Sequence, residues 1–237
     1  MANTKSAYKE GFFAGMPIGL GYFPISFGFG ITTVNLGIKA IYAILISVTN
    51  LTSAGQVAGI SVIAAAGTLF ETALTQFIIN LRYSLMGIAL SQRLSPSFGT
   101  VHRFFTSFFI TDEIFAVAAT RKCPVTPSYM YGLATLPFIG WSLGTACGAI
   151  IGSALPSDIT AALGIAIYAM FIAIVIPPAK KDKGIFCAAI FAAALNCLIK
   201  YAPLPFNISP GFAIIICAVS ASAFASLIAP FKEDNTE

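Results

Sequence analysis

Eight apolar runs, each close to the roughly twenty residues that a helix needs to cross a bilayer, dominate this 237-residue chain. They lie near 11–34, 40–64, 67–90, 103–120, 131–154, 159–178, 184–201 and 209–230. Between them stand turn and charge signals: Asn35 to Lys39, RLSPSFGTVHR, RKCPVTP, Pro156 to Asp158, PPAKKDK and APLPFN. A soluble domain covers itself with about 25% charged residues; here only 9% are charged and 57% are hydrophobic. Lipid must therefore be the solvent for most of the surface. The pattern predicts an all-α, polytopic transmembrane helical bundle of about eight spans, forming one domain over 1–237.

Lys5 and Lys9 precede the first run in the manner of a signal peptide, but that run outlasts a signal core of about 7–15 residues, so it reads as a retained span. Of the five cysteines, Cys123, Cys147, Cys187, Cys197 and Cys217, none forms a CxxC pair; they read as small apolar residues rather than as a disulfide framework or metal site. No cofactor is indicated. The net charge of +4 is scattered, which fits membrane orientation rather than nucleic-acid binding. In an eight-span arrangement Lys5, Lys9, Arg121, Lys122, Lys180, Lys181, Lys183 and Lys232 share one side. Lys39, Arg93, Arg103 and Lys200 share the other, which puts both termini in the cytoplasm. A seven-span alternative, with a re-entrant second segment, makes the two counts nearly even.

The halves 11–120 and 131–230 echo one another. Gly11, Gly15 and Gly19 in the first run match Gly140, Gly144, Gly148 and Gly152 in the fifth, each a stripe along which a second helix can approach. AIYAILI (40–46) matches AIYAMFI (166–172), with helix-disturbing Asn50 after one and Pro177-Pro178 after the other. A four-plus-four repeat of this kind is parallel, with its axis along the membrane normal. Chance matching of Ala, Ile and Gly is the alternative.

Four features carry chemistry. Pro17 and Pro24 each remove a donor from the first span, so that span is expected to be broken, with Gly19 and Gly21 offering backbone to a substrate. The alternative is close packing through the glycines. In the second span Asn50, Ser53, Gly55 and Gln56 fall at the depth of the bilayer centre. Irregular backbone survives there only where it lines a cavity or is buried in protein, so these residues form either a polar pocket or interhelical hydrogen bonds. The third span holds Asn80 and Arg82, with Glu71 eleven residues before the arginine on the same helical face. Glu71 lies near the span's start and suits a helix N-terminus; Arg82, far inside, needs a partner.

The fourth feature is TDEIFA (111–116). Each ionised group at a helix centre costs about 2.5–3.5 kcal/mol to insert, yet Asp112 and Glu113 are adjacent. Successive helical positions differ by about 100°, so the two acids face different neighbours. One would pair with Arg82 and the other would exchange protons. Asp112 is the better candidate for the pair and Glu113 for the proton, since Glu113 shares a helical face with Thr106 seven residues earlier.

AGMPIGLGYFPISFGFG, SAGQ, NLRY and TDEIFA together resemble the AzlC family, the large subunit of bacterial branched-chain amino-acid exporters. The resemblance covers roughly 10–120. It implies export of branched-chain amino acids, with methionine as a further substrate, from the bacterial cytoplasmic membrane alongside a small hydrophobic subunit of the AzlD type. It points to Gln56, Asn80, Arg82, Asp112 and Glu113. Glu71 departs from the family pattern. The leading expectation is a proton-driven secondary transporter and not an enzyme: no second histidine, GxSG-type nucleophile or metal-ligand cluster is present. A substrate-capturing subunit of a multi-component importer is the alternative.

Overall fold

The computed structural model describes residues 4–156, 182–202 and 208–228, with isolated positions between 158 and 180. Among the described residues, five helices are long and apolar enough to cross a membrane: α1 (Thr4–Asn35), α4 (Leu69–Ser91), α7 (Pro127–Ile151), α8 (Lys183–Tyr201) and α9 (Pro210–Ile228). Four shorter ones are α2 (Ala40–Thr49), α3 (Ser53–Ala64), α5 (Thr100–Ser107) and α6 (Asp112–Ala119). The chain is an all-α polytopic membrane protein. The sixth expected span, 159–178, falls outside the fully described residues.

α1 and α7 run parallel and in register. A Cβ added at Gly11 would meet Tyr129 and Leu133, at Gly19 Leu136, and at Gly30 Thr145 and Ala149. From the other side, Gly132 meets Tyr8 and Phe12, Gly140 meets Gly19, and Gly148 meets Phe27. Two facing glycine stripes thus put backbone on backbone, where dispersion acts at closest range. This corrects the expected break in the first span. α1 is helical through Pro17 and Pro24. Its remaining hydrogen bonds and its seam with α7 outweigh the two missing donors.

Three core clusters mark three depths. Near the start of α1, Ala7, Leu90, Phe98, Ile114, Ala118, Tyr129 and Leu133 pack together. At mid-depth, Tyr22, Leu51 and Trp141 gather with Phe109 and Phe138 around them. Near the end of α1, Phe29 and Ile60 pack with Ile38 and Ile46.

These clusters decide the path of the broken elements. Ile38 and Ile60 flank α2 and α3, yet both sit in the cluster near the end of α1, while Leu51 between them is at mid-depth. α2 and α3 therefore form hairpin 1, which enters from that far face and turns back. Likewise Phe98 and Ala118 both sit near the α1 start while Phe109 reaches mid-depth. α5 and α6 therefore form hairpin 2, entering from the near face. The expected count of eight crossings is corrected at both places. Span 2 turns back at Asn50 to Thr52, where the backbone is extended, and span 4 turns back where Thr111 is extended. Thr111 accepts a hydrogen bond from the Ile114 amide, so a helix begins there.

α1 followed by a hairpin from the far face, then α4 followed by a hairpin from the near face, is an inverted arrangement whose two tips meet at mid-depth. α9 starts at the far face, where the Glu71 carboxylate accepts from the Gly211 amide at 2.9 Å and from the Ser209 hydroxyl. Glu71 thus holds α4 to α9. Phe191 of α8 stacks on Phe224 of α9 at 4.3 Å.

Two outcomes follow. In a cysteine-free background, Leu36→Cys and Ala65→Cys are expected to label from one face and Ser97→Cys from the other; eight crossings would separate the first two. Gly19→Ala sets a Cβ 2.6 Å from the Leu136 carbonyl oxygen, whereas Gly21→Ala meets nothing within 4 Å. Thermal unfolding in detergent is expected to show Gly19→Ala destabilised by about 1–3 kcal/mol and Gly21→Ala no less stable than the parent.

Candidate functional site

The two hairpin tips converge on a small cavity lined by Leu51 and Ser53 of hairpin 1, Thr111, Asp112 and Glu113 of hairpin 2, Tyr22 of α1, Tyr83 of α4 and Trp141 of α7. It has room for about one water molecule.

From α4, Arg82 Nη1 reaches hairpin 2 and lies 3.0 Å from Asp112 Oδ2. Arg82 Nη2 donates to the Tyr83 hydroxyl at 3.0 Å, and the guanidinium stands 4.8 Å from the centre of that ring. Its Nε is buried with no hydrogen-bond partner among the described residues. Glu113 faces elsewhere: the buried Tyr22 hydroxyl donates to its carboxylate and lies 2.8 Å from Thr111 Oγ1. Tyr22 is in turn packed edge-on against Trp141, ring centres 5.2 Å apart. The two acids thus meet different partners because they occupy the first turn of α6. Thr106 has no part in this division. It belongs to α5, before the turn, and the shared face inferred for it with Glu113 does not exist.

Hairpin 1 is braced by uncharged groups. Gln56 is buried; its Oε1 accepts from Trp141 Nε1 at 3.0 Å, and its Nε2 donates to the Asn50 carbonyl oxygen. Ser47 Oγ lies 2.7 Å from Thr145 Oγ1 on α7. From α4, Gln76 Nε2 donates to the Gly55 carbonyl at 2.7 Å, while its Oε1 accepts from Asn80 Nδ2 at 3.2 Å and from Asn50 Nδ2 at 3.4 Å. Asn80 Oδ1 is buried with no partner among the described residues. These contacts bind the extended backbone of the tip, which has no helical partner of its own.

The two half-helices that start at the tips differ. α6 is capped by Thr111 and carries Asp112 and Glu113 in its first turn. α3 has no side-chain cap: the Thr52 hydroxyl donates instead to Asn50 Oδ1 at 2.7 Å. The first-turn amides of α3, beginning at cavity-lining Ser53, therefore present the positive end of a helix dipole across from an acidic helix start.

Of the residues expected at the site, Asp112, Glu113, Arg82 and Ser53 come together there, while Asn50, Gly55, Gln56 and Asn80 build and brace the tip of hairpin 1. Gly19 and Gly21 do not join them. Gly19 is closed against α7, and Gly21 faces outward with nothing near it. Tyr22, Gln76, Tyr83, Thr111 and Trp141 were not foreseen. The signal for Thr111 was present, since a threonine followed by two acids is a helix-start pattern. A lone tryptophan and scattered tyrosines in apolar runs carry no such mark. Among the described residues no group of three or more His, Cys, Asp or Glu could hold a metal ion.

Residues 17–155 match the family whose description is "AzlC protein". Inner membrane protein YgaZ of Escherichia coli is 26% identical over 201 residues, 82% of each chain. An archaeal membrane protein of Archaeoglobus fulgidus is 29% identical over 75% of this chain and 78% of its own. The branched-chain amino acid transport protein AzlC of Bacillus subtilis is 25% identical over 75% of this chain and 70% of its own. No solved structure matches.

If Arg82 and Asp112 neutralise one another, Arg82→Gln and Asp112→Asn each strand a charge at this depth. The double variant is expected to unfold at a higher temperature than the sum of the single losses implies, with a coupling of about 1 kcal/mol, read from the four-member cycle in detergent.

Proposed function

The chain belongs to the AzlC family, and from that premise and the geometry at the hairpin tips we propose a secondary transporter that exports branched-chain amino acids, with methionine as a further candidate. Export is driven by the proton gradient and works with a small hydrophobic subunit of the AzlD type in the bacterial cytoplasmic membrane. The name of the Bacillus subtilis relative supports the substrate class, and that of the Escherichia coli relative the membrane. The observation that carries the reading is the pair of opposed half-helix starts, one uncapped at Ser53 and one bearing Asp112 and Glu113, beside Arg82.

A zwitterion complements that pair. Its carboxylate suits the uncapped amides of α3 and its ammonium the acids of α6, an arrangement known from broken helices in secondary transporters. Leu51, Tyr22 and Trp141 offer apolar surface to a branched side chain. The cavity, with room for about one water, admits an amino acid only when the tips part. Glu113 is the proton carrier: the Tyr22 hydroxyl donates to its ionised form, and protonation weakens that bond and loosens hairpin 2 from α1. Asp112 keeps Arg82 neutralised throughout.

The hairpins also sort the basic residues. The near face collects Lys5, Lys9, Arg93, Arg103, Arg121, Lys122 and Lys183; the far face has Lys39 and Lys200. Arg93 and Arg103 change sides relative to an eight-crossing chain. The positive-inside rule then favours the near face as cytoplasmic, and α9, starting at the far face, heads back toward it, so both termini lie in the cytoplasm.

Cells loaded with leucine, valine or methionine and supplied with the small subunit are expected to export faster when this chain is present. Glu113→Gln is expected to abolish pH-gradient-driven efflux, and Asp112→Asn to reduce it at least about tenfold, with both variants still inserted. Normal gradient-driven export by both variants would remove the proton-carrier role.

A further inference from the structure

A second cavity, of about 340 Å³, lies on the near face between α4, the 92–98 turn and α5. That volume is in the range of small-ligand sites, unlike the closed space at the tips. Its walls are largely apolar, among them Leu94, Phe98 and Met130, and no acid lines it. The charged lining residue is Arg103, whose Nε donates to the Phe98 carbonyl at 3.2 Å. That bond orients the exposed guanidinium, and its two terminal nitrogens make no hydrogen bond or ion pair among the described residues. A guanidinium with two free terminal nitrogens above an apolar wall suits an amphipathic carboxylate.

The cavity also adjoins the turn of hairpin 2. Ile110 lines it, and the next residue, Thr111, lines the tip cavity and touches Tyr22. The turn of hairpin 2 is thus the wall between the two spaces. We propose that this cavity is the cytoplasmic access site of the transporter, where Arg103 takes the carboxylate of an amino acid and the apolar wall its side chain before hairpin 2 admits it to the tips. The proposal rests on the export reading for its direction. Among the described residues no competing anion lines the cavity, and a phospholipid headgroup is the other source of a suitable one.

Gly87 makes the test clean. It lines the cavity and a Cβ there meets nothing within 4 Å, so the side chain of Gly87→Phe starts in open space at the cavity wall, and thermal unfolding in detergent at the parent's temperature checks that the fold is kept. Purified protein in nanodiscs of neutral phosphatidylcholine is photolabelled with a diazirine analogue of leucine, and the modified peptides are mapped. Label is expected on residues 88–110 of the parent, lost in Gly87→Phe and reduced about tenfold in Arg103→Gln. In cells, both variants are expected to raise the half-saturating leucine concentration about tenfold with little change in maximal rate, whereas Glu113→Gln abolishes the rate. Labelling without export would remove the transport reading and leave the site standing. No label in this segment would overturn the site. So would label displaced by added phosphatidylglycerol with unaltered export by both variants, which would assign the cavity to a lipid headgroup.

Discussion

Backbone contact between α1 and α7 is the constraint on which the rest of this structure depends. Glycines on both helices let carbonyl meet Cα along their shared length, and the pair becomes a post that neither proline in α1 bends out of place. Each hairpin tip is braced on that post. Tyr22 of α1 reaches Thr111 and the Glu113 carboxylate; Trp141 and Thr145 of α7 reach Gln56 and Ser47. Separating the two helices would shift both sets of contacts at once.

The two tips are secured by different chemistry. Hairpin 1 is held by amides and hydroxyls, groups that keep their hydrogen bonds at any physiological pH. Hairpin 2 is held by Arg82 to Asp112 and by Tyr22 to Glu113, contacts whose strength depends on charge. On the export reading, a proton arriving at a carboxylate releases the second tip and leaves the first untouched. On the same reading, hairpin 2 then responds to the gradient while hairpin 1 keeps its brace on α7.

Much of this was legible from residues alone. Apolar runs of the right length gave the class of protein, and Arg82 inside such a run demanded an acid, which the structure supplies in Asp112. Other inferences failed for one reason: hydropathy reports how deep a segment goes, not whether it comes out on the other side. The runs containing Asn50 and Thr111 are long enough to cross, and only their packing against Ile38, Phe98 and their neighbours reveals that they return. The glycines at 19 and 21 misled similarly. A glycine in an apolar helix signals close approach, and whether the approaching group is a substrate or another backbone depends on the neighbour.

The sequence by itself determined that the chain lives in lipid as a bundle of helices, and that an arginine deep in an apolar run and two adjacent acids had to be reconciled. Those conclusions follow from the cost of polar groups in hydrocarbon, which is the same in any fold. Only the tertiary structure decided that Asp112 and Glu113 begin a half-helix rather than interrupt a whole one, that Arg82 meets one acid and Tyr22 the other, and that an uncapped helix start stands opposite them. Those facts depend on which elements meet at mid-depth, and contacts between residues as far apart as Tyr22 and Glu113 leave no periodic trace along the chain.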